Sequence, residues 1–257
     1  MNDIVVERLN FNTPGALASA LADRVASELV STIAERGHAT LAVSGGRTPQ
    51  LFFVSLSCAD IPWDKVTITL VDERFLPVTD ERSNENFVRM HLLQNNAAKA
   101  RFVGLYMPAV TAELAAFSAA SRVGGLKLPL DVVVLGMGID GHTASLFPGG
   151  SRLKQALDPE CRALVLPIHA KGLSEGRLSM TLPVLKNARF TALHIEGLAK
   201  LASFEKALED GPETDMPIRA ILHNNDHPLQ VYWAPSEGEP ANVMKQTAFN
   251  DESKGLF

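Results

Sequence analysis

The sequence holds 257 residues, 46% of them hydrophobic, with 24 Lys and Arg against 29 Asp and Glu and a formal net charge of -5. A chain of this size buries a sizeable core near the upper limit for one domain, so a single domain over residues 1–257 is expected. The acidic balance without a basic block argues against nucleic acid, and the lack of any apolar run near ~20 residues or a signal-like pattern over Met1 to Arg8 argues against a membrane partner and for a cytoplasmic protein. Cys58 and Cys161 stand apart and belong to no Cys/His cluster, so neither a metal nor a redox motif is expected there.

In chain order, Thr13-Pro14 sets a cap-type residue before a proline, and Leu17, Leu21, Val25 and Leu29 recur at helical spacing up to Gly37. The spacing predicts an amphipathic helix. Thr40 to Val43 is a short apolar strand, Ser44-Gly-Gly-Arg-Thr-Pro49 a turn, and Gln50 to Leu56 a second helix. Val66 to Val71 is a β-branched strand, followed by a polar loop and a helix near Glu85 to Leu93, with Asn84 as its expected cap. A helix over Thr111 to Arg122 precedes the apolar strand Leu130 to Leu135. Later strands are expected at Ala163 to Leu166, Phe190 to Ile195 and Leu229 to Trp233, with a helix from Leu198 to Glu209. Alternating strands and helices imply an α/β fold whose mainly parallel sheet carries helices on both faces. A looser tail is expected after Ser236.

Ligands of such sheets bind beyond the carboxyl ends of the strands. Three of those ends carry unusual polar loops, which are expected to form one site. In the first, Ser44 to Pro49, glycines let backbone N–H groups approach an anion at a helix start; an ordinary βα turn is the alternative. It lacks the lysine and spacing of a Walker loop, and Ala42 replaces the glycine of a nucleophile elbow. In the second, Asp72-Glu73-Arg74 through Ser83-Asn84, the charges serve either as a solvated ion pair or to orient sugar hydroxyls or a cationic partner. The third, Gly136-Met-Gly138-Ile-Asp140-Gly141-His142, matches G-x-G-x-x-G literally, but Phe147-Pro148-Gly149-Gly150 cuts short the helix that a dinucleotide site needs. What remains is a glycine-walled turn presenting Asp140 and His142. His223 and His227 have a metal-like spacing, yet the residues around them spell a turn. Arg177 and Lys200 are lone cations able to complete an anion site.

Ser44 to Pro49, Asp72-Glu-Arg74 with Pro77 and Ser83-Asn84, and Leu135 to Pro148 together resemble the 6-phosphogluconolactonase family, within the wider glucosamine-6-phosphate isomerase/6-phosphogluconolactonase group. Arg177, Thr181 to Leu185, Gly197 and Lys200 extend the resemblance over most of the chain. One departure is the loop before Arg177, where Gly172, Ser174 and Gly176 stand in place of the family's prolines. The resemblance implies the fold shared with amino-sugar-phosphate deaminases and ribose-phosphate isomerases, and hydrolysis of a small phosphosugar lactone by a monomer or homodimer without cofactor or metal. It implies His142 as the base that activates water and Asp140 as its orienting partner. The phosphate is expected on Ser44, Gly45, Gly46, Arg47, Thr48, Arg177 and Lys200, with Asp72 nearby for the sugar. The tetrahedral oxyanion falls either to glycine-loop N–H groups or to Arg74. Deaminases of this group need a glutamate five residues after the histidine, where this chain has Phe147. A non-enzymatic sugar-phosphate sensor is a further alternative, against which stands the lack of a DNA-binding segment.

Overall fold

A computed structural model describes residues 6–224 and 229–240. Its centre is a seven-stranded, wholly parallel sheet built from β1 (Val6–Asn10), β2 (Ala39–Val43), β3 (Val66–Leu70), β5 (Arg101–Val103), β6 (Val132–Leu135), β9 (Phe190–Glu196) and β10 (Leu229–Ala234). A separate antiparallel sheet joins β4 (Asp72–Arg74), β8 (Arg177–Met180) and β7 (Val165–Ile168). The large sheet runs in the order β1-β10-β9-β6-β2-β3-β5. From β2 the chain grows outward through β3 and β5, then returns to the other side of β2 and grows through β6, β9 and β10. The order therefore reverses between β2 and β6, which opens a crevice beyond their carboxyl ends.

Every residue of β2 and β6 is buried, as expected for strands covered on both faces. The expected first helix is α1 (Pro14–Arg36): Thr13, extended at φ -145°, accepts a hydrogen bond from the Ala16 N–H, and Gly37 closes the helix in the left-handed region. Its buried stripe is Leu17, Leu21, Val25 and Leu29. The other helices are α2 (Gln50–Ser57), α3 (Asn84–His91), α4 (Ala112–Gly124), the short α5 (Leu153–Ala156) and α6 (Leu182–Lys186), α7 (Leu198–Leu208) and α8 (Ile218–Asn224).

Three expectations need correction. The strand placed at Ala163 to Leu166 begins two residues later, as β7, and joins the small sheet. The carbonyls of Ala163 and Leu164 are instead taken by the Thr181 hydroxyl and N–H, which bends the chain off the strand. The cap of α3 is Ser83, whose Oγ accepts from the Asn86 N–H; Asn84 is already helical and donates its side-chain amide to the Asp72 carbonyl. Asp72 to Arg74, expected as loop, is a short strand. The spacing argument for His223 and His227 is only half visible, because His227 and the tail beyond residue 240 lie outside the described residues.

Two buried carboxylates fix the frame. At the amino end of the crevice strands, Asp131 accepts from the Thr40 N–H at 2.7 Å, the Thr40 hydroxyl at 2.9 Å and the Arg36 guanidinium. At the carboxyl end of β3, fully buried Glu73 accepts from the N–H groups of Arg74, Asn84 and Glu85 at 2.7, 2.8 and 2.7 Å and from the Ser83 hydroxyl at 3.1 Å. Burial pushes the Glu73 carboxyl up to about 7, against those backbone donors. All four partners are donors, so an amide in its place sets N–H against N–H. The Glu73→Gln variant is expected to lose about 2–4 kcal/mol of stability at about pH 8, where the carboxyl is ionised, as read by denaturant unfolding; a wild-type midpoint would remove this anchor.

Candidate active site

The crevice between β2 and β6 holds a cleft of about 380 Å³, and the three polar loops do meet there. Its lining includes Ser44 to Pro49, Asp72, Arg74, Asn84, Gly136 to Gly138, His142, Arg177 and Lys200. Of the expected site residues only Asp140 does not line it; that carboxylate stands behind His142.

The first and third loops are stitched together at Ser44, through its main chain and its hydroxyl. The Ser44 N–H donates to the Val134 carbonyl at 3.0 Å, and the Gly136 N–H donates to Ser44 Oγ at 3.0 Å. Gly45 lies under Asn84, whose Oδ1 would sit 2.1 Å from a Cβ at that position, so a side chain there would push Asn84 off Asp72. The N–H groups of Gly45, Gly46 and Thr48 donate to no protein acceptor among the described residues. They stand at the entry to α2, a geometry that favours an anion. Lys200, in the first turn of α7, reaches across to Thr48 Oγ1 at 3.1 Å. Burial lowers its pKa, with the Glu196 charge opposing.

His142 sits on a turn closed by hydrogen bonds from Gly138 N–H to the His142 carbonyl at 2.9 Å and from Gly141 N–H to the Gly138 carbonyl at 3.0 Å. The strand ends without a helix, and the next, α5, is a single turn beginning at Leu153, so the dinucleotide alternative has no helix to stand on. Asp140 Oδ1 accepts from the His142 N–H at 3.2 Å and lies 2.5 Å from ring Nδ1. In the neutral ring this places the proton on Nδ1 and leaves Nε2 with a free lone pair. A Cβ on Gly138 would lie 2.2 Å from the same ring, so only glycine lets the imidazole fold back over the turn. Phe147 also packs on that imidazole, its ring centre 4.3 Å from that of His142.

The small sheet delivers the remaining charges. Arg74 and Arg177 are directly paired across β4 and β8, an arrangement that repels unless anions are near. Asp72 supplies one: it lines the cleft and accepts from the Ser145 hydroxyl. The Arg74 guanidinium also donates to the Arg82 carbonyl. Arg47 is exposed at the rim. With Lys200, Arg47, Arg74 and Arg177 against Asp72, the cleft carries a positive excess suited to a dianion.

His194 was missed by the sequence reading. It is buried on β9, lines the cleft, and its Nε2 lies 3.0 Å from Glu196 Oε1. A polar residue inside the apolar run Phe190 to Ile195 was the available signal. Among the described residues no three His, Cys, Asp or Glu side chains gather as a metal would need; Cys58 and Cys161 are both free thiols.

A family model described as glucosamine-6-phosphate isomerases/6-phosphogluconolactonase matches residues 12–233. A 6-phosphogluconolactonase of Rhizobium meliloti is 54% identical over 225 residues, covering 88% of this chain and 97% of that protein. One of Pseudomonas putida is 46% identical over 219 residues, 85% of this chain and 89% of its own. A crystal structure of a 6-phosphogluconolactonase from Shewanella baltica superposes with a TM-score of 0.86 at 41% identity, covering 89% of this chain and 97% of that one.

The His142 hydrogen bond holds the Asp140 carboxyl below the usual aspartate range, with burial opposing. Replacing His142 by Gln is therefore expected to raise the Asp140 midpoint toward its ordinary value in a carbon-detected NMR titration. An unmoved midpoint would show that the pair does not form in solution.

Proposed function

The chain belongs to the glucosamine-6-phosphate isomerase/6-phosphogluconolactonase family, and from that membership and the cleft we propose that it hydrolyses 6-phospho-D-glucono-1,5-lactone to 6-phospho-D-gluconate in the oxidative pentose phosphate pathway. The observation that carries the chemistry is the His142–Asp140 pair at the mouth of a cation-lined crevice. The phosphate binds the free N–H groups of Gly45 and Gly46, Thr48, Arg47, Lys200 and Arg177. That anchorage sets the lactone carbonyl beside His142, with Asp72 facing the sugar hydroxyls.

His142 Nε2 then takes a proton from water as the oxygen adds to the carbonyl carbon, and Asp140 stabilises the imidazolium at 2.5 Å. The tetrahedral oxyanion collapses, the ring oxygen leaves, and the imidazolium returns the proton to it. Of the two oxyanion donors considered, the third loop's glycines are poorly placed to serve: the N–H groups of Gly136, Gly138 and Gly141 already donate to Ser44, His142 and Gly138. The role falls to Arg74. Phe147 against His142 supplies an apolar wall where ring-opening deamination requires a second acid or base. The same reading takes the chain as one cytoplasmic domain, acting as monomer or homodimer without metal, cofactor, membrane or nucleic acid.

Freshly generated lactone should be hydrolysed well above its spontaneous rate, with no ammonia released from glucosamine 6-phosphate. His142→Ala is expected to lower kcat about 100- to 10,000-fold with little change in KM. Lys200→Ala should instead raise KM about tenfold or more, the loss of one charge-assisted hydrogen bond. A His142→Ala enzyme as fast as wild type would refute the assigned base.

A further inference from the structure

Arg177 reaches the cleft already bound to a carboxylate of its own chain. Its side chain is 10% exposed, and its Nη2 lies 3.1 Å from Glu175 Oε1, itself 11% exposed. Arg177 Nε is buried with no hydrogen-bond partner, and the guanidinium carbon lies 6.0 Å from the centre of the Phe147 ring. An unpaired guanidinium in so dry a place is strongly disfavoured, so Glu175 keeps the fork charged and oriented while the cleft is empty of anions. Glu175 has a second attachment: its Oε2 accepts from Arg82 Nη1 at 3.1 Å and from the Ser174 hydroxyl. Arg82 is half exposed and also holds Asp80.

We propose that Glu175 is a resident counter-anion of Arg177 which the phosphate of the substrate displaces, making it a determinant of affinity and charge selectivity in the anion site. The proposal rests on the reading of Arg177 as part of that site. On binding, the carboxylate breaks its Oε1 contact with Arg177 and stays on Arg82 through Oε2, so it does not enter solvent unpaired. Asp72, held by Ser145, still faces Arg177 after the exchange. A doubly charged phosphate outcompetes one carboxylate for a planar fork with an unused Nε, whereas an unphosphorylated lactone offers no charge with which to compete. Glu175 sits between Ser174 and Gly176 in the loop that Gly172 turns at φ 87°.

Calorimetric titration of the full chain with inorganic phosphate at about pH 8, where the dianion prevails, tests this. Glu175→Gln is expected to bind phosphate about fivefold more tightly than wild type, because the competitor is neutral. Arg82→Ala is expected to bind about threefold more weakly, since Glu175 is left with Arg177 alone, and to have no such effect in the Glu175→Gln background. A purely structural Glu175 predicts the opposite: weaker binding in Glu175→Gln and the same Arg82→Ala effect in both backgrounds. Unchanged or weakened binding in Glu175→Gln overturns the displacement. If Arg177→Ala binds phosphate as wild type does, the underlying placement of Arg177 fails instead. If neither wild type nor Glu175→Gln binds phosphate, both fail.

Discussion

β2 and β6 lie side by side because the chain builds its sheet outward from β2 twice, first through β3 and β5 and then back through β6, β9 and β10. That adjacency places two glycine loops at one opening, since neighbouring parallel strands end together and their following segments must diverge. The register is fixed at both ends of the pair. Asp131 ties the start of β6 to Thr40 and Arg36, and Ser44 ties the end of β2 to Val134 and Gly136. A slip of one residue would reverse every side chain on strands buried on both faces and strand the Asp131 carboxylate without its donors. The distance between the anion loop and the histidine turn is thus set by sheet pairing rather than by the loops.

Asp72 and Glu73 show how one strand serves frame and site at once. Neighbouring residues of β4 face opposite ways. Asp72 turns to the cleft, where one hydroxyl holds it, while Glu73 turns inward and collects four donors at the start of α3. The inward acid gives α3 an anion at its positive end and spaces Asn84 over Gly45. Removing either carboxylate would disturb the cleft, by different routes: Asp72 through the charge it presents to the cleft, Glu73 through the position of the helix and of Asn84.

The elements legible in the sequence are those whose causes are local. Thr13-Pro14 and Gly37 mark both ends of α1, the apolar runs mark β2, β3, β6, β9 and β10, and glycines after β2 and β6 mark the loops. The convergence of those loops followed from strand alternation, whereas Arg177 and Lys200 were legible only as lone cations able to complete an anion site, joined to the loops by the family resemblance. What escaped was made by partners distant in sequence. β4 and β8 are three and four residues long and carry charges, so neither has a strand's pattern; they exist because Asp72 pairs with Ser179 and Arg74 with Arg177. Ser83 and Asn84 are both cap-type residues, and only the demand of the Asp72 carbonyl for a donor assigns the cap to the first. His194 hides in an apolar run because its polar partner, Glu196, sits two residues further along the same strand.

Phe147 joins the two halves of the site physically. Its ring packs on His142 at 4.3 Å between centres and lies beneath the Arg177 guanidinium at 6.0 Å. An apolar plate in that position excludes water from one side of the imidazole and leaves Asp140 as the carboxylate bonded to its ring. In the mechanism proposed above, the histidine then holds one proton on Nδ1 and exchanges another at Nε2, as addition of water to an ester carbonyl requires. A carboxyl side chain there would face both His142 and Arg177, tying up the base and neutralising the cation in one contact. Phenylalanine therefore keeps the proposed base and the proposed anion-binding cation electrically separate while holding them in contact through packing.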